Sequence, residues 1–441
     1  MLTPRQLSLA ASVFAAGTSA FAQVPQIRLL PPVTPAIVTY HGAAVAALPD
    51  VNGDGVADIA VSSLYAIGNI GRVYIYSGAT GQIIRQLVSP NPETDSFYGQ
   101  SISAVPDLNG DGIADIVVGA PMDSPGTSPQ ANGRVYIYSG ATGQFIRRLI
   151  PPVQQYFGQF GNAVAGLRDI DGDGRGDIAV GAPGERQGQG DDDGRVHIYS
   201  GATGQRLRTI IAPTQHHASD FGHTLAAIAD LNGDGRDELI IGDHRAGPTN
   251  ARGGLVHIYT PATGQRIRTL MSPQNQDDGR FGEAVAAVPD ANGDGRPDIA
   301  VGAPREFSRT GRAYLFSGAS GVVLAQVQSP GIETEGRFGE AIAGLADFNG
   351  DGRGDFVVGA PHEDPGNSSS DNGRAYIYSG AGGQFLLKLL PPNNRANEYF
   401  GYALAGLPDM NGTGRPEIIV GAPGEDNSSY GHAGAAYIYR Y

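Results

Sequence analysis

The sequence predicts an all-β fold, a seven-bladed β-propeller of four-stranded antiparallel blades that an N-terminal strand closes by completing the last blade. First, an acid-rich motif of nine residues, Asp107–Asp115 in one copy, occurs seven times, with first Asp residues 57, 62, 61, 60, 57 and 62 residues apart. Second, each unit holds four short segments with strand-like alternation. Third, the two chain ends carry complementary parts of one unit. A period near sixty over 441 residues indicates one repeat architecture.

The third unit shows the four predicted strands in order. They are Ala163–Leu167, with small residues; Ile178–Pro183, which is apolar; Arg195–Tyr199, which alternates; and Arg206–Ile211. The apolar residues show no helical periodicity, so the unit is predicted to be a meander of four strands, which we call A to D. Small side chains suit strand A for a place near the axis of a radial assembly. The tyrosines of strand C recur in nearly every unit, which favours packing between blades over a binding stripe.

The chain ends predict how the ring closes. The sequence stops after Ala436–Tyr439, which has the character of strand C. The segment Val24–Pro32 matches the strand D segment Gln144–Pro152. We therefore expect the N-terminal segment to supply the outer strand of the seventh blade, which favours a closed propeller over an open solenoid. The seam is expected to be the weak point of the ring.

The first 22 residues have the pattern of a secretory signal peptide. A short region with Arg5 precedes the apolar stretch Leu7–Phe14 and the small-x-small site Ala20–Ala22. The expected organisation is a signal peptide at 1–22 and a single propeller at 23–441, secreted to an extracellular or periplasmic space. No later segment reaches the apolar length of a membrane span. Because cysteine is absent, calcium rather than disulfides is expected to stabilise an exported fold.

The charge balance narrows the range of partners. The formal net charge of −14 argues against nucleic-acid and anionic-membrane partners. About six bound calcium ions would offset most of this charge. The acidity is therefore largely a property of the nine-residue motifs.

These motifs have the chemistry of calcium loops. Oxygen ligands at positions 1, 3, 5 and 9, a main-chain carbonyl at position 7 and glycines at 4 and 6 let the oxygens converge on one ion. Position 12 of the second copy is Val118 rather than Glu, so the loop is not an EF-hand. The predicted ligands of six loops are Asp50, Asn52, Asp54, Val56 and Asp58; Asp107, Asn109, Asp111, Ile113 and Asp115; Asp169, Asp171, Asp173, Arg175 and Asp177; Asp230, Asn232, Asp234, Arg236 and Glu238; Asp290, Asn292, Asp294, Arg296 and Asp298; and Asp347, Asn349, Asp351, Arg353 and Asp355. The seventh loop, Asp409–Glu417, has Thr413 in place of an acid and is expected to bind weakly or not at all.

Two further signatures carry a family resemblance. A Phe-Gly pair stands at Phe160, Phe221, Phe281, Phe338 and Phe400, and becomes Tyr98-Gly99 and His41-Gly42 in the second and first units. A Gly-Ala-Pro triplet stands at Gly119, Gly181, Gly302, Gly359 and Gly421, and departs to Val61–Ser63 and Gly242–His244 in the first and fourth units. The chain therefore resembles the FG-GAP repeat family, which forms the integrin alpha-subunit head. The resemblance implies a seven-bladed propeller with calcium in blade loops. Integrin heads have fewer such loops and further domains, so a receptor role does not carry over.

The loops that differ between units indicate where a partner binds. The A–B calcium loops and C–D turns belong to one face and repeat almost unchanged, whereas the B–C connections belong to the other face and vary. The variable connections are Met122–Asn132, Gly184–Asp193, His244–Arg252, Arg305–Thr310, His362–Asn372 and Gly424–Ala433. We expect a ligand-binding or adhesion module, not an enzyme, with an unknown extracellular protein or glycan on the B–C face around the axis. The alternative is an exported hydrolase or lyase with its site on that axial face, although no catalytic motif is present.

The histidines of the fourth unit and two Arg-Gly-Asp triplets each have a simple interpretation. His216, His217, His223 and His244 lie in the fourth unit and are expected to be surface histidines, with a second metal site or a catalytic histidine as the alternative. Arg175–Asp177 and Arg353–Asp355 spell the integrin-recognition tripeptide. Their aspartates are predicted metal ligands, so recognition through these triplets is not expected.

Overall fold

The protein forms the predicted ring of seven antiparallel sheets. The computed structural model describes residues 26–32, 39–124, 131–186, 193–213, 219–247, 252–364, 370–393, 395–426 and 433–441. The predicted signal peptide lies outside these residues. Within them, 28 strands form seven four-stranded sheets, so the all-β propeller is confirmed.

Each blade is given from its first strand to its fourth. The first three blades are β2 (His41–Leu48), β3 (Asp58–Ser63), β4 (Arg72–Tyr76), β5 (Ile83–Leu87); β6 (Ser101–Val105), β7 (Asp115–Ala120), β8 (Arg134–Tyr138), β9 (Phe145–Leu149); and β10 (Ala163–Leu167), β11 (Asp177–Ala182), β12 (Arg195–Ser200), β13 (Arg206–Ile211). The next two are β14 (Thr224–Ile228), β15 (Glu238–Asp243), β16 (Leu255–Thr260), β17 (Gln265–Met271); and β18 (Val285–Val288), β19 (Asp298–Ala303), β20 (Arg312–Phe316), β21 (Val323–Val327). The last two are β22 (Ala341–Leu345), β23 (Asp355–Ala360), β24 (Arg374–Tyr378), β25 (Phe385–Leu389); and β26 (Ala403–Leu407), β27 (Glu417–Ala422), β28 (Ala435–Tyr439), β1 (Gln26–Leu29).

The N-terminal strand closes the ring as predicted. β1 pairs antiparallel with β28, with Leu29 opposite Ala436, and Leu29 is fully buried. The hydroxyl of Tyr76 in the first blade donates to the carbonyl of Leu30, which directly follows β1, at 2.8 Å. Tyr138 makes the same bond to Val88 between the second and first blades, at 2.7 Å. The strand that closes the ring therefore makes the interblade contact that strand D makes elsewhere.

The hydrophobic core lies between blades. The buried apolar residues form seven clusters, and each cluster joins two neighbouring blades. In β7, Ile116 and Val118 pack toward the first blade, whereas Val117 packs toward the third. This division follows from the period of two in a strand. Nearly all the strand C tyrosines are buried in these interfaces, which supports their interpretation as packing residues.

The two signatures are explained by the close approach of neighbouring inner strands. Gly161 has φ of 88° and donates its N–H to the carbonyl of Gly181 at 2.9 Å. A Cβ on Gly119 would lie 2.0 Å from the carbonyl oxygen of Gly161, so only glycine fits there. The strand register also corrects one alignment. Ser62 occupies the Gly181 position, so the departure from Gly-Ala-Pro is Ser62–Leu64 rather than Val61–Ser63.

Two single-turn helices were not predicted. They are α1 (Ala66–Asn69) and α2 (Glu306–Arg309), and both lie in B–C connections. α2 is irregular, because Phe307 and Ser308 have left-handed backbone angles. A four-residue turn is too short to produce a recognisable 3.6-residue period in the sequence.

Candidate functional sites: the acidic loops and the axial cavity

The acidic loops hold their carboxylates through main-chain N–H groups. In the second blade, Asp107 accepts hydrogen bonds from Gly110 at 2.6 Å and from Gly112 at 2.9 Å. Asp111 accepts one from Ile113 at 2.9 Å. The loop is therefore curled around its acids by local bonds, which orients the carboxylates at little further cost in side-chain entropy.

The acid at position 9 ties this loop to the neighbouring turn. Asp115 is fully buried and accepts hydrogen bonds from Leu108 at 2.8 Å and from Gly140, in the C–D turn, at 3.1 Å. The A–B loop and the C–D turn thus share one face, as predicted. Burial raises the pKa of Asp115, and repulsion from Asp111 and Asp107 adds to the effect.

The donor set fits a hard divalent cation. Asp169, Asp171 and Asp177 bring oxygens within 4.8 Å of one another, and Asp230, Asp234 and Glu238 do the same. Burial raises the pKa of Asp177 to about 6, a penalty that a bound cation would remove. Calcium takes this kind of all-oxygen set. In every loop but the third, position 3 is Asn rather than Asp, and Asn109 donates to Asp111 at 2.8 Å.

An arginine at position 7 connects neighbouring loops. Arg175 Nη1 lies 2.9 Å from Asp107 Oδ2 of the preceding loop, and Arg353 Nη1 lies 3.9 Å from Asp290 Oδ1. Both arginines open the Arg-Gly-Asp triplets, whose final residues Asp177 and Asp355 are fully buried. The triplets are thus folded into the loops, with the carboxylates directed inward.

The seventh loop keeps the same curl. Asp409 accepts hydrogen bonds from Gly412 at 2.8 Å and Gly414 at 2.7 Å, although Thr413 replaces the second acid. The loop conformation therefore does not require every acid. Weak metal binding here remains a prediction.

The opposite face has a cavity at the propeller axis. Its volume is about 320 Å³, and the starts of the seven inner strands surround it. The residue after each Phe-Gly pair, or its equivalent, lies at this mouth. In the first six blades these residues are Ala43, Gln100, Asn162, His223, Glu283 and Glu340. One position of the repeat thus places five different kinds of side chain around a single opening.

Charge is unevenly distributed around the mouth. Burial raises the pKa of Glu340 to about 7, and Arg337, whose Nη1 lies 3.6 Å away, only partly offsets this effect. Tyr402, which is 42% exposed, occupies the equivalent position of the seventh blade. The mouth is therefore a partly desolvated acidic surface.

Two histidines of the fourth blade meet at this mouth, where His223 lines the cavity. The rings of His223 and His244 are 4.3 Å apart between centroids, and His244 Nε2 lies 3.2 Å from Asp220 Oδ2. His244 is buried, and burial lowers the pKa of His223 to about 4. The expectation of surface histidines was wrong for this pair, because the strand register brings the two departures from the repeat together. His216 and His217 lie outside the described residues.

Sequence reasoning missed a set of buried acids in the B–C connections. Tyr136 donates to Asp123, and His197 Nε2 lies 3.0 Å from Glu185 Oε2. The same arrangement of acid and strand C residue recurs at Glu306, Glu363 and Glu425. Each acid stands two residues after a Gly-Ala-Pro triplet. That spacing is the sequence signal that could have revealed them.

Fold and loops together define a β-propeller whose blades carry acidic loops that could hold a metal ion. The FG-GAP repeat model matches residues 41–76, 98–138, 160–199, 221–259, 281–316, 338–378 and 400–439, and the chain belongs to this family. It is 30% identical to integrin alpha-V of Gallus gallus over 254 residues, covering 52% of this chain and 23% of that protein. It is 37% identical to integrin alpha-IIb of Mus musculus over 162 residues, covering 33% and 15% respectively. The matches thus span less than a quarter of these relatives.

The described residues contain no helix with the length and apolar character that a transmembrane crossing requires.

Proposed function

We propose that the protein is a secreted, calcium-stabilised propeller that acts as a ligand-binding or adhesion module. The observation that carries this proposal is the contrast between the two faces. The loop face repeats one hydrogen-bonded motif from blade to blade, whereas the axial cavity is lined, at one repeat position, by Gln100, Asn162, His223, Glu283 and Glu340. Function is more commonly found at departures from a repeat than in its scaffold.

Calcium has a structural role in this proposal. Six loops, from Asp50–Asp58 to Asp347–Asp355, would each hold one ion through the side chains at positions 1, 3, 5 and 9 and the carbonyl at position 7. The ion supplies positive charge among acids that otherwise repel. The position 9 acids, such as Asp115, join the loop to the C–D turn. Binding would therefore stiffen six of the seven blades at the point where the A–B loop meets the C–D turn.

The proposed binding surface also has an aromatic part. Tyr40 and Tyr65 lie 5.0 Å apart between ring centroids, and Phe97 lies 5.8 Å from Tyr65. Tyr40 and Phe97 directly precede Phe-Gly positions and adopt left-handed φ values of 50° and 52°. The same left-handed φ recurs at this position in Gln159, Arg280 and Arg337, so it is a property of the repeat. The clustered aromatic rings suit an extracellular protein or glycan ligand.

Binding arrays with paired variants test the proposal. Wild-type protein would be screened against glycans and matrix proteins with calcium and with chelator. We expect Glu340→Gln and Tyr402→Ala to weaken binding at the axial mouth. Val322→Ser is the control, because it alters an exposed C–D turn residue on the loop face. If the axial variants bound the ligand as tightly as the wild type and Val322→Ser lost binding, the ligand would bind the loop face and the proposed binding surface would be wrong.

One observation favours catalysis as a second candidate function. Glu340 is a half-buried acid that lines the cavity, desolvation raises its pKa to about 7, and such groups serve as general acids. An exported hydrolase or lyase would release products from a polysaccharide or ester panel. Turnover by the wild type that is lost in Glu340→Gln would support this candidate, and binding without turnover would support the adhesion module.

A further inference from the structure

We propose that Asp220, His223 and His244 form a binding site for one divalent transition metal of the zinc type, at the axial cavity and separate from the calcium loops. Ligand atoms of these three residues lie within 4.8 Å of one another. Tetrahedral zinc bonds of about 2.0–2.1 Å separate ligand atoms by roughly 3.3 Å. His244 Nε2 and Asp220 Oδ2, 3.2 Å apart, already have this spacing.

A fourth donor comes from the next blade. Glu283 Oε2 lies 3.6 Å from His244 Nε2 and belongs to the start of the fifth blade. Both Glu283 and His223 line the axial cavity, so an ion has a route of entry from solvent. Two imidazoles with one or two carboxylates are a donor set that zinc uses in proteins. Calcium prefers oxygen donors alone, so the two kinds of site would select different ions.

Two residues of this region replace the Ala and Pro of the Gly-Ala-Pro triplet. The third blade has Ala182 and Pro183 where the fourth has Asp243 and His244. Asp220 and His223 occupy the two positions on either side of the Phe-Gly pair, where the residue varies from blade to blade. The two pairs are far apart in the sequence but adjacent in space, as a site assembled within one blade requires.

Asp243 positions the carboxylate ligand. It is buried, and it accepts hydrogen bonds from the hydroxyl of Ser219 at 2.7 and 2.8 Å and from the N–H of Asp220 at 3.1 Å. The segment that carries Asp220 is thereby fixed to the end of β15. Outer contacts of this kind commonly orient metal ligands.

The remaining contacts leave Nε2 of His244 as the ring nitrogen that faces the carboxylates. Nδ1, on the other side of the ring, is buried and has no hydrogen-bond partner among the described residues. Arg245 pairs with Asp220 Oδ1 at 3.3 Å, and Arg280 lies 3.4 Å from Glu283 Oε2. The arginines balance the two carboxylates, and Asp220 Oδ2 still faces His244. A cation between the imidazoles and this oxygen would complete the arrangement.

Cobalt and zinc titrations test the site directly. Untagged full-length protein in about millimolar calcium would be titrated with Co²⁺, followed by its visible absorption, and with Zn²⁺ by calorimetry. We expect one transition-metal equivalent above the calcium content and a tetrahedral-type cobalt spectrum. His223→Asn, which restores the residue of the third blade, and His244→Gln should weaken binding at least about tenfold. Asp243→Ala leaves every proposed ligand residue unaltered but removes the hydrogen bonds that hold Asp220. It should therefore weaken binding to a similar degree.

The controls separate this site from its surroundings. His216→Gln/His217→Gln should bind cobalt as the wild type does, and Asp115→Asn should lower calcium binding without altering cobalt binding. The melting temperature of each variant in calcium reports whether it is folded. Cobalt binding that survives in folded His223→Asn and His244→Gln would overturn the proposal, as would failure of the folded wild type to bind zinc or cobalt. Neither outcome depends on whether an adhesion ligand exists.

Discussion

His41 Nδ1 and Ser63 Oγ lie 2.7 Å apart in the interior of the first blade. Both residues depart from the repeat, since the third blade has Phe160 and Ala182 at these positions. Tyr76 donates its proton to Leu30, so its oxygen accepts from His41 Nε2 at 3.0 Å. Nδ1 then accepts from the Ser63 hydroxyl. Burial lowers the pKa of His41 to about 3, which keeps the ring neutral.

The His41–Ser63 pair predicts a strong coupling in a double-mutant cycle. Ser63→Ala leaves a buried ring nitrogen unpaired and should lower the free energy of unfolding by about 1–3 kcal/mol. His41→Phe/Ser63→Ala recreates the pair of the third blade and should recover at least about 1 kcal/mol of the summed losses. Denaturant unfolding in saturating calcium measures each value. Strictly additive losses would show that the two replacements do not compensate each other.

This pair also shows where sequence reasoning ends. The repeat, the strands and the ring closure could be predicted because period, alternation and matching chain ends are local patterns. The partners of His41 and His244 could not, because they depend on strand register and on the rotation between blades. The first-blade replacements satisfy each other, whereas those of the fourth blade meet Glu283 of the fifth. The buried acids, such as Asp123, stand at a fixed distance from the Gly-Ala-Pro triplets, but they lie near the start of connections that differ in length and composition, and that variation hid their common position.

Calcium removal should lower the stability of the protein, and the contribution of one loop should be measurable by altering that loop alone. Asp115→Asn removes a buried acid that joins loop and turn, so we expect one fewer calcium per chain and a lower melting temperature in calcium. In chelator the difference from wild type should shrink, because no ion remains to be lost. Asp409→Asn in the seventh loop is the matched control and should leave the calcium count unchanged. Elemental analysis after dialysis gives the count. An unchanged wild-type melting temperature in chelator would refute the calcium assignment.

The seam, where β1 pairs with β28 in the seventh blade, should open before the strand pairs of the other blades do. Leu29 and Leu149 occupy the same position of strand D and are buried to 0% and 3% exposure. Leucine-to-alanine changes at such sites cost roughly 2–5 kcal/mol. In Leu29→Ala we expect faster hydrogen exchange in β28, because only β1 covers that edge. Leu149→Ala should accelerate hydrogen exchange in β8 less than Leu29→Ala does in β28, even where the two variants lose the same free energy of unfolding. The reason is that β9 follows β8 directly in a continuous meander. Equal exchange in β28 and β8 would show that the seam is no weaker than the other blades.

The pH dependence of stability should report on Glu398. This residue is 1% exposed, and burial raises its pKa to about 7, with repulsion from Glu425 as a further cause. The folded state therefore holds a proton that the unfolded state releases above its ordinary pKa of 4.5. The resulting stabilisation is fully present below that ordinary value and is lost as pH rises through about 7. Glu398→Gln mimics the protonated form, so the wild type should lose up to about 3 kcal/mol more than this variant between pH 4.5 and pH 8. Unfolding in saturating calcium measures the difference, and Glu335→Gln at an exposed site should behave as the wild type does. A wild type and a Glu398→Gln variant with parallel pH profiles would mean that Glu398 is ionised in the folded state.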